Sequence, residues 1–189
     1  EKLPAIRHSF AHLLAAAVLR LHPDALPTIG PAIEDGFYYD FDFTTPIGDE
    51  NLKRIEKEMR NILKTWKSFD SREVTAEEAR QIFAANPYKL ELISDIIGKG
   101  EPITLYRSGD FEDLCRGGHA ETSSLMRPDA FKLTRIAGAY WRGKDEQDWS
   151  DLVVQAPPLY IQEKVKPKAL IDDLLRHTKQ ATSQAGGFQ

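Results

Sequence analysis

Apolar side chains return at helical spacing from Ile6 to Leu21, through Ala11, Leu14, Ala15, Val18 and Leu19, and Pro23 closes the segment. A sharper amphipathic pattern runs from Asp49 to Trp66. There Leu52, Ile55, Met59, Ile62 and Leu63 form one stripe, with charges on the opposite face. Thr75 and Glu78 have the spacing of a capping box, which predicts a helix over Thr75–Ala84, and Tyr88–Ile97 predicts another. Gly36–Phe43 (GFYYDFDF) alternates aromatic and acidic residues, the mark of a half-buried strand. Shorter strands are predicted at Ser71–Val74, at Pro102–Tyr106, from Phe111 into a glycine turn ending at His119, and from Phe131 to Tyr140. After Gly143 the character changes. A polar stretch, Lys144 to Ser150, precedes Leu152-Val153-Val154, Pro157-Pro158, a last helix over Lys168–Thr178 and a small, polar tail from Ala181. Strands and helices mixed without regular βαβ alternation predict an α+β fold, an antiparallel sheet packed with helices.

Composition narrows the chemistry. No apolar run approaches the roughly 20 residues that cross a bilayer, so no membrane partner is expected. One cysteine among 189 residues excludes an internal disulfide and fits a reducing, cytoplasmic setting. A net charge of −4 argues against a broad basic surface for duplex nucleic acid. It leaves room for a pocket that takes only the end of a nucleic acid. The chain starts at Glu1 and not at Met, which suggests an excised domain or a processed product.

His8 and His12 stand four residues apart on the first helix, so both imidazoles leave the same face. Cys115 and His119 repeat that spacing around Arg116-Gly117-Gly118, where two glycines allow a tight turn. Together they use three of the five histidines and the sole cysteine. By spacing alone they form a plausible four-ligand Zn²⁺ set, with two ring neighbours on a helix and a core thiol as the plainer reading. A metallopeptidase is disfavoured, because Ser9 follows His8 where that motif needs a glutamate base.

Four strings then carry a specific resemblance: RHSFAHLLAAAV (Arg7–Val18), IGPAIEDGFYYDFDF (Ile29–Phe43), DLCRGGH (Asp113–His119) and KLTRIAGAYWRG (Lys132–Gly143). In this order they resemble the editing domain of bacterial-type threonyl-tRNA synthetase, and more distantly that of alanyl-tRNA synthetase with its free-standing relatives. The resemblance implies an editing domain over residues 1–145 and an extension over 146–189. It implies hydrolysis of serine from mischarged tRNA(Thr), with the tRNA 3′ end and the rest of a synthetase chain as partners. His8, His12, Cys115 and His119 would line the pocket, with Lys89 acting on the water or the carbonyl. Asp113 would hold the substrate's ammonium or hydroxyl, Tyr39 the adenosine or the water, and Arg142 a phosphate. The threonyl-type resemblance favours a metal-free site, with Zn²⁺ on the four residues as the alternative. A free-standing trans-editing deacylase and a non-catalytic, zinc-stabilised tRNA-binding module are the competing functions. The sequence departs from the family where Gly118 replaces a common proline before the histidine, and after Gly143. Nothing in it resembles an aminoacylation core.

Overall fold

In the computed structural model, residues 2–138, residue 141 and the backbone of 159–163 are described. Arg142, Tyr140, Leu152–Val154 and the helix and tail predicted beyond Lys168 lie outside the described residues. The fold is α+β, as expected. It comprises α1 (Lys2–Leu21), β1 (Leu26–Pro27), β2 (Ala32–Ile33), β3 (Gly36–Asp42), α2 (Leu52–Leu63) and β4 (Asp70–Val74). These are followed by α3 (Ala76–Ile82), α4 (Pro87–Gly98), β5 (Ile103–Ser108), β6 (Phe111–Leu114), β7 (Leu133–Gly138) and β8 (Leu159–Glu163).

Two antiparallel sheets organise these elements. One has the order β1-β3-β8-β7, with β2 also on β3; the other has the order β4-β5-β6. β8 pairs Phe37 with Glu163 through Phe41 with Leu159 on one side, and β7 on the other. Residues 159–163 thus share a sheet with the strand that carries Tyr39.

The main core lies between this sheet, α1 and α2. Every residue from Ser9 to Val18 is buried, so α1 is covered on all sides, which explains its weak one-sidedness in sequence. Phe10 stacks on Phe37 at 5.8 Å and tilts against Phe131 at 5.1 Å. Phe37, Tyr39 and Phe41 share one face of β3, as alternation requires, and all are buried. α2 turns only its apolar stripe inward. A second cluster, Ala79, Ile93, Ile96 and Ile103, seats α3 and α4 on the smaller sheet.

Local differences from the pattern have physical causes. α1 begins at Lys2, because Pro4 is tolerated in a first turn. The Asp49–Trp66 segment resolves into a 3₁₀ turn at Asp49–Asn51 and then α2, with Trp66 tucked into the core beyond the helix end. Thr75 caps α3 by accepting from the Glu78 N–H, while the Glu78 carboxylate pairs with Arg72. The capping box is therefore half formed. Among the described residues, no helix is long and apolar enough to cross a membrane.

Candidate functional site

α1 carries His8 and His12, and the loop after β6 carries Cys115 and His119. That loop closes on two left-handed residues, Gly117 (φ +97) and Gly118 (φ +84). A side chain at Gly117 would be strained by φ alone and would also meet the Tyr106 hydroxyl at 2.6 Å. The turn brings His119 Nε2 to 3.3 Å and His8 Nε2 to 3.6 Å from Cys115 Sγ, while the Gly117 N–H donates to the sulfur at 3.3 Å. The His119 ring stacks on His8 at 4.3 Å and on Phe69 at 4.8 Å. His12 meets it edge-on at 4.3 Å.

A second group lies beside the first. Lys89 Nζ and Asp113 Oδ1 form an ion pair at 2.6 Å, with side chains only 2% and 3% exposed. The Tyr39 hydroxyl donates to Asp113 Oδ2 and accepts from Lys89 at 3.1 Å. These residues come from β3, α4 and β6, so both sheets must be in place to assemble them. Asn86 fixes the start of α4: its Oδ1 accepts from the Lys89 N–H at 3.1 Å and its Nδ2 donates to the Pro27 carbonyl at 2.8 Å. Tyr88 adds a bond from its hydroxyl to Asp42 at 2.7 Å.

Gly30 sets the Tyr39 ring. A β-carbon there would fall 2.6 Å from Tyr39 Cε2, and the ring is held in place by its stack on Phe41 at 5.0 Å and by the bonds of its hydroxyl to Asp113 and Lys89. Gly30→Ala is therefore expected to cost about 1–3 kcal/mol through overpacking. A urea midpoint equal to the parent's would contradict that.

Burial holds the imidazoles neutral. Desolvation pushes the His8 pKa below its usual value, opposed by backbone groups of Gly118 and Gly117. It pushes His12 well below, helped by the neighbouring His8 and Lys89, and His119 down to about 2, helped by His12 and His8. Desolvation also lifts Cys115 to about 11, which keeps it a thiol, and raises Tyr39 well above its ordinary range. The site thus offers uncharged bases beside one buried ion pair.

Both groups open onto one cavity of about 740 Å³, lined by His8, His12, Tyr39, Lys89, Asp113 and Cys115 among others. His119 is not among the residues that line it. The four His/Cys ligand atoms all lie within 4.8 Å of one another. Tetrahedral zinc with ordinary bond lengths places its ligands about 3.4–3.6 Å apart. The 3.3 and 3.6 Å separations to Cys115 are close to this, so the donor set fits the ion. Of the residues proposed from sequence, only Arg142 falls outside the described chain. Sequence reasoning passed over Ser9, Gly30, Asn86 and Phe69. A glycine preceding Pro31 and an asparagine before Pro87 were the available signals for two of them.

This is an α+β domain with a histidine–cysteine cluster and a buried Lys–Asp–Tyr group facing one pocket. No family model matches it. The sequence is, however, homologous to one segment of the threonine–tRNA ligases, the family to which the motif strings point. It is 50% identical to the ligase of Gloeobacter violaceus over 149 residues, covering 78% of this chain and 24% of the relative. It is 49% identical to that of Borreliella burgdorferi (strain ZS7) over 140 residues and 50% identical to that of Borrelia recurrentis (strain A1) over 139, each covering 74% of this chain and 24% of the relative. The chain spans about a quarter of the length of the curated relatives it matches.

Proposed function

We propose that this chain is the editing domain of a threonyl-tRNA synthetase, a deacylase that hydrolyses serine from mischarged Ser-tRNA(Thr). The observation that carries the reading is the shared cavity lined both by neutral His8 and by the buried Lys89–Asp113–Tyr39 group. The need is physical. Serine differs from threonine by one methyl, worth only about 1–3 kcal/mol of discrimination in a single pocket. A second site that admits the smaller amino acid supplies the rest.

In the proposed reaction His8 takes a proton from water as the oxygen attacks the seryl carbonyl. Lys89 stabilises the developing oxyanion from a water-poor position. The C–O bond to the ribose then breaks, and His8 returns the proton to the ribose oxygen, releasing serine and tRNA. Asp113 has about four acceptor positions, of which Lys89, Tyr39 and the Leu114 N–H take three. The fourth is left for the substrate's ammonium or hydroxyl. Tyr39 holds the carboxylate in that orientation. If zinc binds, His8, His12, Cys115 and His119 would hold it, and four protein ligands would make it a structural centre with no open position for water. The metal-free reaction is therefore the one proposed.

The compact ligand set also favours a second reading, a zinc-stabilised module that binds the tRNA end without turnover. His8→Ala separates the two. The deacylase reading expects release of serine to fall by at least 100-fold while a non-hydrolysable seryl-adenosine analogue still binds. Equal and negligible release from parent and variant would favour the binding module.

A further inference from the structure

Ser9 follows His8 on α1, and none of its surface reaches solvent. Its hydroxyl meets three groups. It lies 3.0 Å from the Ala5 carbonyl one turn earlier, 3.0 Å from the backbone nitrogen of Ala120 and 3.2 Å from Nδ1 of His119. A serine hydroxyl has one proton and two lone pairs. The Ala5 carbonyl can only accept, so it takes the proton. The Ala120 N–H can only donate, so it occupies one lone pair. What remains for His119 is the other lone pair, and Nδ1 must carry the ring proton to use it. In a neutral imidazole Nε2 is then an acceptor. That atom faces Cys115 Sγ at 3.3 Å.

We propose that Ser9 is a positioning residue that locks His119 in the Nδ1–H tautomer, so that His119 presents a lone pair and not a proton to Cys115. The cysteine thiol has a single proton and two imidazole nitrogens within reach, His119 Nε2 at 3.3 Å and His8 Nε2 at 3.6 Å. With His119 held as the acceptor, the thiol proton goes there. His8, whose ring also meets the backbone of Gly118 and Gly117, is then not engaged by the thiol proton. Ser9 thereby acts on the reacting base through two neighbours without touching the substrate. Its bond to Ala120 also joins α1 to the residue after His119, so one hydroxyl sets both the position and the tautomer of that ring. This kinetic consequence rests on the deacylase reading; the tautomer does not.

The test is ring-nitrogen NMR of the chain labelled with ¹⁵N-histidine, with His119 assigned by its loss in His119→Gln, together with hydrolysis of Ser-tRNA(Thr) by the Ser9→Ala variant. The expected result is a single Nδ1–H tautomer for His119 in the parent, a mixture of tautomers in Ser9→Ala, and a rate about 10–100-fold lower in the variant. An Nε2–H tautomer in the parent overturns the proposal, and that spectrum requires no variant to fold. A slower Ser9→Ala with an unchanged tautomer overturns it as well, since a purely structural role would do the same. If neither protein hydrolyses the ester, the deacylase reading fails while the tautomer result still decides this one.

Discussion

Lys89→Met is expected to stop seryl-ester hydrolysis and to destabilise the fold. Removing a preorganised donor at a developing oxyanion costs about 10²–10³ in rate. The stability loss has a separate origin. Lys89 and Asp113 are almost fully enclosed, so methionine leaves a buried carboxylate without its partner. Breaking such a pair from one side costs about 3–5 kcal/mol, whereas replacing both partners with neutral groups is often close to neutral. Lys89→Met with Asp113→Asn should therefore recover most of the urea midpoint and none of the activity. A single variant within 1 kcal/mol of the parent would contradict the buried-pair account.

Acid should unfold the chain unusually early. His8, His12 and His119 all have folded pKa values below their ordinary one, chiefly through desolvation. The unfolded chain binds protons at these rings once pH falls below about 6.5, while the folded chain resists. Stability is thus complete above pH 6.5 and is lost as pH falls from there toward the folded pKa values. Each ring still neutral in the fold contributes a loss of up to about 1.4 kcal/mol per pH unit. Urea midpoints from pH 7.5 to 5 should fall steeply, and less so in His12→Phe. A flat profile over that range would show that the rings take up protons without resistance.

Much of the frame could be read from periodicity. The α2 stripe and the β3 alternation lie in continuous sequence, and each dictates its own buried face. The histidine and cysteine pairs were legible because their four-residue spacing fixes a common face or a tight turn. What periodicity could not supply was burial created from a distance. Lys89 sits after a tyrosine and reads locally as a surface charge; it is buried because Asp113 and Tyr39 reach its helix from two separate strands. Those residues were reached through the family resemblance, not through spacing. Ser9 was hidden for a similar reason. A serine in a helix usually bonds back to its own turn, and only the return of Ala120 and His119, more than a hundred residues later, gives it a further task. β8 was out of reach because its neighbours, β3 and β7, are set by pairing across the chain.

The central claim is that the pocket hydrolyses a seryl ester and rejects the threonyl one. The most direct measurement is single-turnover release of amino acid by the purified chain from Ser-tRNA(Thr) and Thr-tRNA(Thr) side by side. The expected result is serine released at least 10-fold faster than threonine, consistent with one methyl worth about 1–3 kcal/mol. No release of serine, or equal release of both, would contradict it.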